Sequence, residues 1–117
     1  MKSCILEGIR IDGICACVPS YTVDNATFGA ELFGDRIEDT LKVIGVRTRR
    51  ICPPGSGITS LDLCMEAAKK LLEHHTFSSS DLGGVLFVTQ TPDHDMPNNS
   101  SRAAHLLGLP KNCSAVD

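Results

Sequence analysis

The hydrophobic positions change period along the chain, and each change marks an element. From Cys4 to Val18 the apolar residues Ile5, Ile9, Ile11, Ile14, Cys15, Cys17 and Val18 are interrupted by Gly8 and Gly13. This pattern predicts a β-like stretch with bends or a bulge, stopped by Pro19-Ser20. A helical turn or two is expected between Ala26 and Phe33. A helix is expected from Asp35 to Ile44, with Ile37, Leu41 and Ile44 on one side. Asp35 followed three residues later by Glu38 has capping-box spacing, and Gly45 suits a left-handed C-cap. The clearest helical period runs from about Ser60 to His75. There Leu61, Cys64, Met65, Ala68, Leu71, Leu72 and His75 form an apolar stripe opposite Glu66, Lys69, Lys70 and Glu73, with Thr59 and Asp62 as a cap signal. Burying five large members of that stripe, at roughly 1.5 kcal/mol or more each, outweighs any surface charge pairing.

Gly83 to Gln90 is nearly continuous and apolar, as in a parallel strand covered on both faces. A loop follows from Thr91 to Asn99, then a short helix from Ser101 to Leu107 closed by Gly108 and Pro110. Ser114-Ala115-Val116-Asp117 reads as the beginning of another strand. This order predicts an α/β fold with a mostly parallel sheet and covering helices. A strand so close to the last residue leads us to expect that residues 1–117 are an incomplete segment.

Composition narrows the class without naming a chemistry. With 117 residues, 42% hydrophobic and 21% charged, the chain has an ordinary globular balance and length for one domain. A formal charge of -3 supplies no general basic field, so neither nucleic acid nor membrane is expected as a partner. The N-terminus meets Glu7 before any long apolar run, unlike a signal peptide, and a cytoplasmic location is expected. Six scattered cysteines without a C-x-x-C read as free thiols; Cys15 and Cys17 would share one face of the first strand.

No phosphate-loop, dinucleotide, zinc-helix or nucleophile-elbow motif is present, and no cofactor or metal is expected. His74 and His75 fit the C-terminal end of their helix, and His105 is expected on or beside the apolar face of its own. Asp93-His94-Asp95 has metal-ligating residue types, but adjacent loop positions seldom converge unaided. Arg47, Arg49 and Arg50 form the one basic cluster. Paired guanidinium groups there suit phosphate or carboxylate, with surface ion pairing as the alternative. Thr89, Gln90 and Thr91 lie where a buried strand ends, the edge at which open α/β sheets place ligands.

Several stretches, in order, resemble β-ketoacyl-acyl-carrier-protein synthase III of the thiolase superfamily. They are Gly8-Ile9, Val18-Pro19, Asn25, Ile44-Gly45-Val46-Arg47 with Arg50, and the helix Leu61 to Leu72. Val85 to Asp93, Met96-Pro97, Leu106-Leu107-Gly108-Leu109 and Ala115-Val116-Asp117 complete the set. The resemblance implies the N-terminal part of a five-layered αβαβα fold that forms homodimers in full-length members. It implies an acyltransferase of fatty acid biosynthesis. In such an enzyme a cysteine takes an acyl group from acyl-CoA or an acyl-carrier protein, and condensation with malonyl-carrier protein follows. The nucleophilic cysteine of the family falls just beyond the position of Asp117, and its histidine and asparagine fall in the second half. No residue here is therefore a catalytic candidate, and the segment alone is expected to be inactive. Met96 matches a position that crosses the dimer interface into the partner's acyl pocket, and Thr89, Gln90 and Thr91 match the strand end beside the reaction centre. Arg47 matches the arginine after the Gly-Ile or Gly-Val turn, which the resemblance assigns either to supporting the CoA-entry region or to fastening the loop, with Arg49 and Arg50 beside it. Where well-known members carry a tryptophan and an arginine for the CoA nucleotide, this chain has Asp39 and Val43. A non-catalytic thiolase-fold partner and a small α/β binding protein are the alternative readings.

Overall fold

The computed structural model describes residues 7–117. The chain forms β1 (Tyr21–Asp24), α1 (Asn25–Phe33), a 3-10 turn (Gly34–Arg36), α2 (Ile37–Ile44) and β2 (Thr48–Ile51). These are followed by α3 (Ser60–His74), a second 3-10 turn (Ser79–Asp81), β3 (Gly84–Leu86), α4 (Asn99–Leu106) and β4 (Ser114–Val116). Two small sheets result. β1 and β2 pair antiparallel, with Tyr21 opposite Ile51, and β3 and β4 pair parallel, with Val85 opposite Ala115. The parallel expectation thus holds for the pair nearest the end of the chain, while the other pair runs antiparallel.

Local signals explain most boundaries. Asp24 caps α1 by accepting the Ala26 N–H at 2.7 Å. Gly45 ends α2 at φ 73° and donates to Leu41, in the left-handed conformation that only glycine adopts without cost. Thr59 and Asp62 close a capping box on α3, with bonds of 3.2 and 2.9 Å.

Four expectations need correction. No strand spans residues 7–18, because none of the described elements pairs with them; Ile9, Ile11 and Ile14 stay exposed, and Cys15 and Cys17 share no strand face. The positions before residue 7 lie outside the described residues. Asp35 does not cap α2. Gly34, at φ 53°, turns the chain out of α1 and sends Asp35 into a 3-10 turn, so Arg36 occupies the N-cap without a side-chain bond. The strand expected over Gly83 to Gln90 is ordered as a ladder only over Gly84–Leu86, with two further bonds at its ends, Ser114 N–H to the Gly83 carbonyl at 3.0 Å and Phe87 N–H to the Val116 carbonyl at 2.8 Å. Burial along it alternates: Phe87 is buried, whereas Leu86 and Val88 are 72% and 86% exposed. One face is covered and the other is open. Finally, His105 is exposed, on the solvent side of α4.

The covered face carries the main core. Leu61 and Met65 of α3 meet Phe87 and Ala103, with Cys64, Val85 and Leu107 packed around them. At the other end of α3, His75 stacks on Phe77 with ring centroids 4.9 Å apart. The radius of gyration is 18.8 Å, against roughly 13 Å for a compact chain of this length. Much apolar surface therefore stays outside the core.

Leu61 is 2% exposed and Leu32, on α1, is 76% exposed. Leu61→Ala should cost about 2–5 kcal/mol in urea-unfolding stability, whereas Leu32→Ala should cost far less. Equal losses at the two positions would show that the α3 core does not hold the structure.

Candidate functional site at the parallel-strand edge

The parallel strands end at one edge, and a cleft of about 360 Å³ lies there. Phe87, Val88 and Pro92 give it apolar walls, and Thr89, His94, Asp95, Asn98 and Asp117 contribute polar groups. Ligands bind at this edge in open α/β sheets because helix N-termini and strand ends converge on it.

Two carboxylates build the edge. Asp117, immediately after β4, turns onto the N-terminus of α4. Its two oxygens accept the Asn99 N–H at 2.9 Å and the Ser100 N–H at 2.7 Å. Asn98 accepts the next N–H, from Ser101, at 3.3 Å. The first donors of α4, which have no partners within the helix, are thereby met, and the negative charge sits at the positive end of the helix dipole. The Ser100 hydroxyl beside it and these backbone donors hold the Asp117 carboxyl below the usual carboxylate range.

Asp93 is the second carboxylate, and its side chain is only 6% exposed. It accepts from the Ser60 hydroxyl at 3.3 Å and from Asn99 Nδ2 at 3.4 Å, and it pairs with Arg102 at 3.6 Å. Burial alone would raise its pKa, but hydrogen bonds from Thr59, Asn99, the Leu61 backbone and Ser60 outweigh that and lower it. Asn99, with no exposed surface, also accepts the Asp93 N–H at 3.3 Å. Asp93 thus ties the loop after β3 to the first turns of both α3 and α4.

The residues singled out from sequence separate in space. Thr89 lines the cleft, and its hydroxyl accepts the Thr91 N–H at 3.0 Å. The Thr91 carbonyl accepts from Ser60 at 3.1 Å, and Gln90 between them is exposed. Met96 precedes a cis peptide bond to Pro97 and is 87% exposed. The three arginines lie on and beside β2, each with its own contact. Arg47 reaches Asp24 and Glu38, both at 3.8 Å. Arg49 lies 4.4 Å over the Phe28 ring. Arg50 donates to the Ser20 carbonyl at 2.8 Å.

His94 lines the cleft, but among the described residues no group of three histidine, cysteine or acidic side chains is placed to hold a metal ion. Burial pushes the Cys64 thiol up, away from the reactive thiolate. Sequence reasoning overlooked Asn99, Ser60 and Arg102, and it singled out Asp117 only as the end of the last strand. The Asn98-Asn99 pair before a helical run was a usable cap signal; the reach from Asp117 back to α4 had no local signal at all.

Among the described residues, no helix is long and apolar enough to cross a membrane. No family model matches the chain. Individual relatives do. A β-ketoacyl-acyl-carrier-protein synthase III from Azobacteroides pseudotrichonymphae is 39% identical over 101 residues, which is 85% of this chain and 29% of the relative. One from Rhodopirellula baltica is 33% identical over 103 residues, 88% of this chain and again 29% of the relative. In three dimensions, the crystal structure of a 3-oxoacyl-(acyl-carrier protein) synthase from Burkholderia xenovorans superposes with a TM-score of 0.77 at 33% identity. That match covers 89% of this chain and 30% of the crystal structure's.

Both carboxylates have lowered pKa values, so their contribution to stability is complete above the ordinary aspartate value of 3.8 and is lost as pH falls through the lower folded values. The urea midpoint should hold steady above about pH 5 and fall steeply below pH 4, where unfolded aspartates begin to take up protons. Asp93→Asn and Asp117→Asn should each flatten that fall while lowering the plateau. A wild-type acid profile retained in both variants would show that these carboxylates do not bear the load. This chain spans less than a third of the length of the β-ketoacyl-acyl-carrier-protein synthases III that it matches, and over that stretch it is similar to them in sequence and in α/β fold.

Proposed function

We propose that residues 1–117 form the N-terminal thiolase-like segment of a condensing enzyme of the 3-oxoacyl-acyl-carrier-protein synthase III type. In that enzyme a cysteine thiolate attacks the carbonyl of an acyl thioester, the donor thiolate leaves, and the acyl group remains on the cysteine. Decarboxylation of malonyl-carrier protein then supplies the carbon nucleophile that displaces the cysteine and forms the new carbon-carbon bond. Histidine and asparagine donors stabilise the enolate that precedes it. All three reacting side chains belong outside this segment, so the segment alone performs neither step.

The observation that carries this reading is the Asp117 clamp. It holds the end of β4 against α4 at the cleft, a rigid exit for whatever follows a parallel strand at its ligand-bearing edge. The open face of β3–β4 adds to it. Leu86, Val88 and Val116 are exposed there, and parallel sheets normally have both faces covered. Thr89, Gln90 and Thr91 then serve as scaffold beside the reaction centre. Met96, with its flexible thioether unpacked, serves as a contact to a second protomer in a homodimer and to that protomer's acyl pocket. The donor is acyl-CoA or an acyl-carrier protein. With Asp39 and Val43 at the positions expected to hold a nucleotide, an acyl-carrier protein is the better match. Free thiols at Cys15, Cys17, Cys52, Cys64 and Cys113 suit the reducing cytoplasm.

Acyl thioester labelled in the acyl group, incubated with the protein purified from its native source, should leave a stable label on a cysteine other than those at positions 4, 15, 17, 52, 64 and 113. The recombinant 117-residue chain should remain unlabelled. A stable acyl group on one of the six cysteines of this chain, or none on any cysteine of the native protein, would contradict the assignment.

A further inference from the structure

A groove of about 460 Å³ lies between α1, α2 and β2 and shares no residue with the cleft at the β3–β4 edge. Its walls are apolar, built mainly by Phe28, Leu32, Phe33, Ile37, Leu41 and Ile44, and no acidic side chain lines it. Three polar residues enter it: Asn25, Thr40 and Arg49. The volume is within the range of small-molecule sites, and apolar walls with a few polar groups are their usual make-up.

Two of those polar residues have unused bonding capacity. Arg49 sits over the Phe28 ring at 4.4 Å, and no carboxylate lies within ion-pair distance of it among the described residues. Stacking uses the face of the guanidinium and leaves its in-plane N–H fork for a carboxylate or phosphate. Its neighbours are engaged, Arg47 with Asp24 and Glu38 and Arg50 with backbone carbonyls. Asn25 spends its amide Nδ2 on the Val46 carbonyl at 2.9 Å, and its backbone N–H on Arg47 at 2.8 Å. Its Oδ1 is buried without a donor among the described residues. A buried acceptor of this kind favours a ligand that brings an N–H or O–H.

We propose that this groove binds an acyl amphiphile: an apolar chain along α1 and α2, a hydrogen-bond-donating link at Asn25, and an anionic head on Arg49. The site stands independently of the condensing reading, so the two fail separately. It also narrows the basic cluster to one anion-binding residue, because Arg47 and Arg50 are occupied elsewhere.

Equilibrium binding to the full 117-residue chain, below the micellar concentration of each probe, tests it. The probes are N-decanoylglycine, decyl phosphate, acetylglycine and decyltrimethylammonium. At least one of the two anionic decyl probes should bind, and the tighter one identifies the head as carboxylate or phosphate. Acetylglycine, which lacks the chain, and the cationic amphiphile should bind at least about tenfold more weakly. Arg49→Gln should weaken the anionic probes about tenfold, the scale of a lost charge-assisted bond, and Arg49→Lys should keep part of that affinity. Leu32→Asp changes an exposed groove residue and should weaken both decyl anions while leaving the helical circular dichroism unchanged. Undiminished binding in Arg49→Gln, equal binding of the cationic amphiphile, or no binding of either anionic decyl probe would overturn the proposal.

Discussion

The acidic clamp on α4 is the constraint on which this structure turns. Asp117 spans the N-terminus of α4 with both carboxylate oxygens, and Asp93 grips the same helix through Asn99 and Arg102. Without Asp117 the N–H groups of Asn99 and Ser100 would be buried without acceptors, and neither residue has exposed surface at which water could replace the lost bonds. The clamp also decides geometry. It joins the end of β4, the loop after β3 and the first turn of α3 into one rigid edge, so the cleft there is walled by elements that cannot drift independently.

That rigidity contrasts with the rest of the chain. The α3 core is small, and apolar residues such as Ile11, Val43 and Val88 face outward. The local order of β3–β4 rests more on directed polar contacts than on area buried. In a larger assembly the balance would shift, because covering Leu86, Val88 and Val116 would add apolar burial to the same edge. The sequence relatives, of which this chain covers 29%, share this stretch at moderate identity, and the Burkholderia structure superposes on it with a TM-score of 0.77.

Much of the fold was legible because its signals are local. The stripe of α3 with its Thr59–Asp62 box, the Gly45 stop and the α/β order all follow from spacing alone. What spacing could not show was pairing at a distance. The first apolar stretch has strand-like composition but no partner among the described elements, and composition does not report a missing partner. Asp35 had the right neighbours for a cap, yet the turn set by Gly34 placed it elsewhere. Of the positions singled out at the strand end, Thr89 lines the cleft there. The architecture of that edge was not legible. Asp117 meets Ser100 across 17 positions, and Ser60 meets Asp93 across 33. The three arginines looked like one cluster in the sequence, but each turned to a different partner once β2 was placed.

Amide hydrogen exchange at Asn99 and Ser100 tests the clamp most directly. In the wild-type chain near neutral pH both amides should exchange slowly, despite their place in the first turn of a helix where amides are ordinarily free. Asp117→Ala should speed both by at least about tenfold while the central amides of α3 keep their protection. Fast exchange of Asn99 and Ser100 in the wild type, or rates unchanged by Asp117→Ala, would show that the carboxylate does not hold the end of β4 on α4.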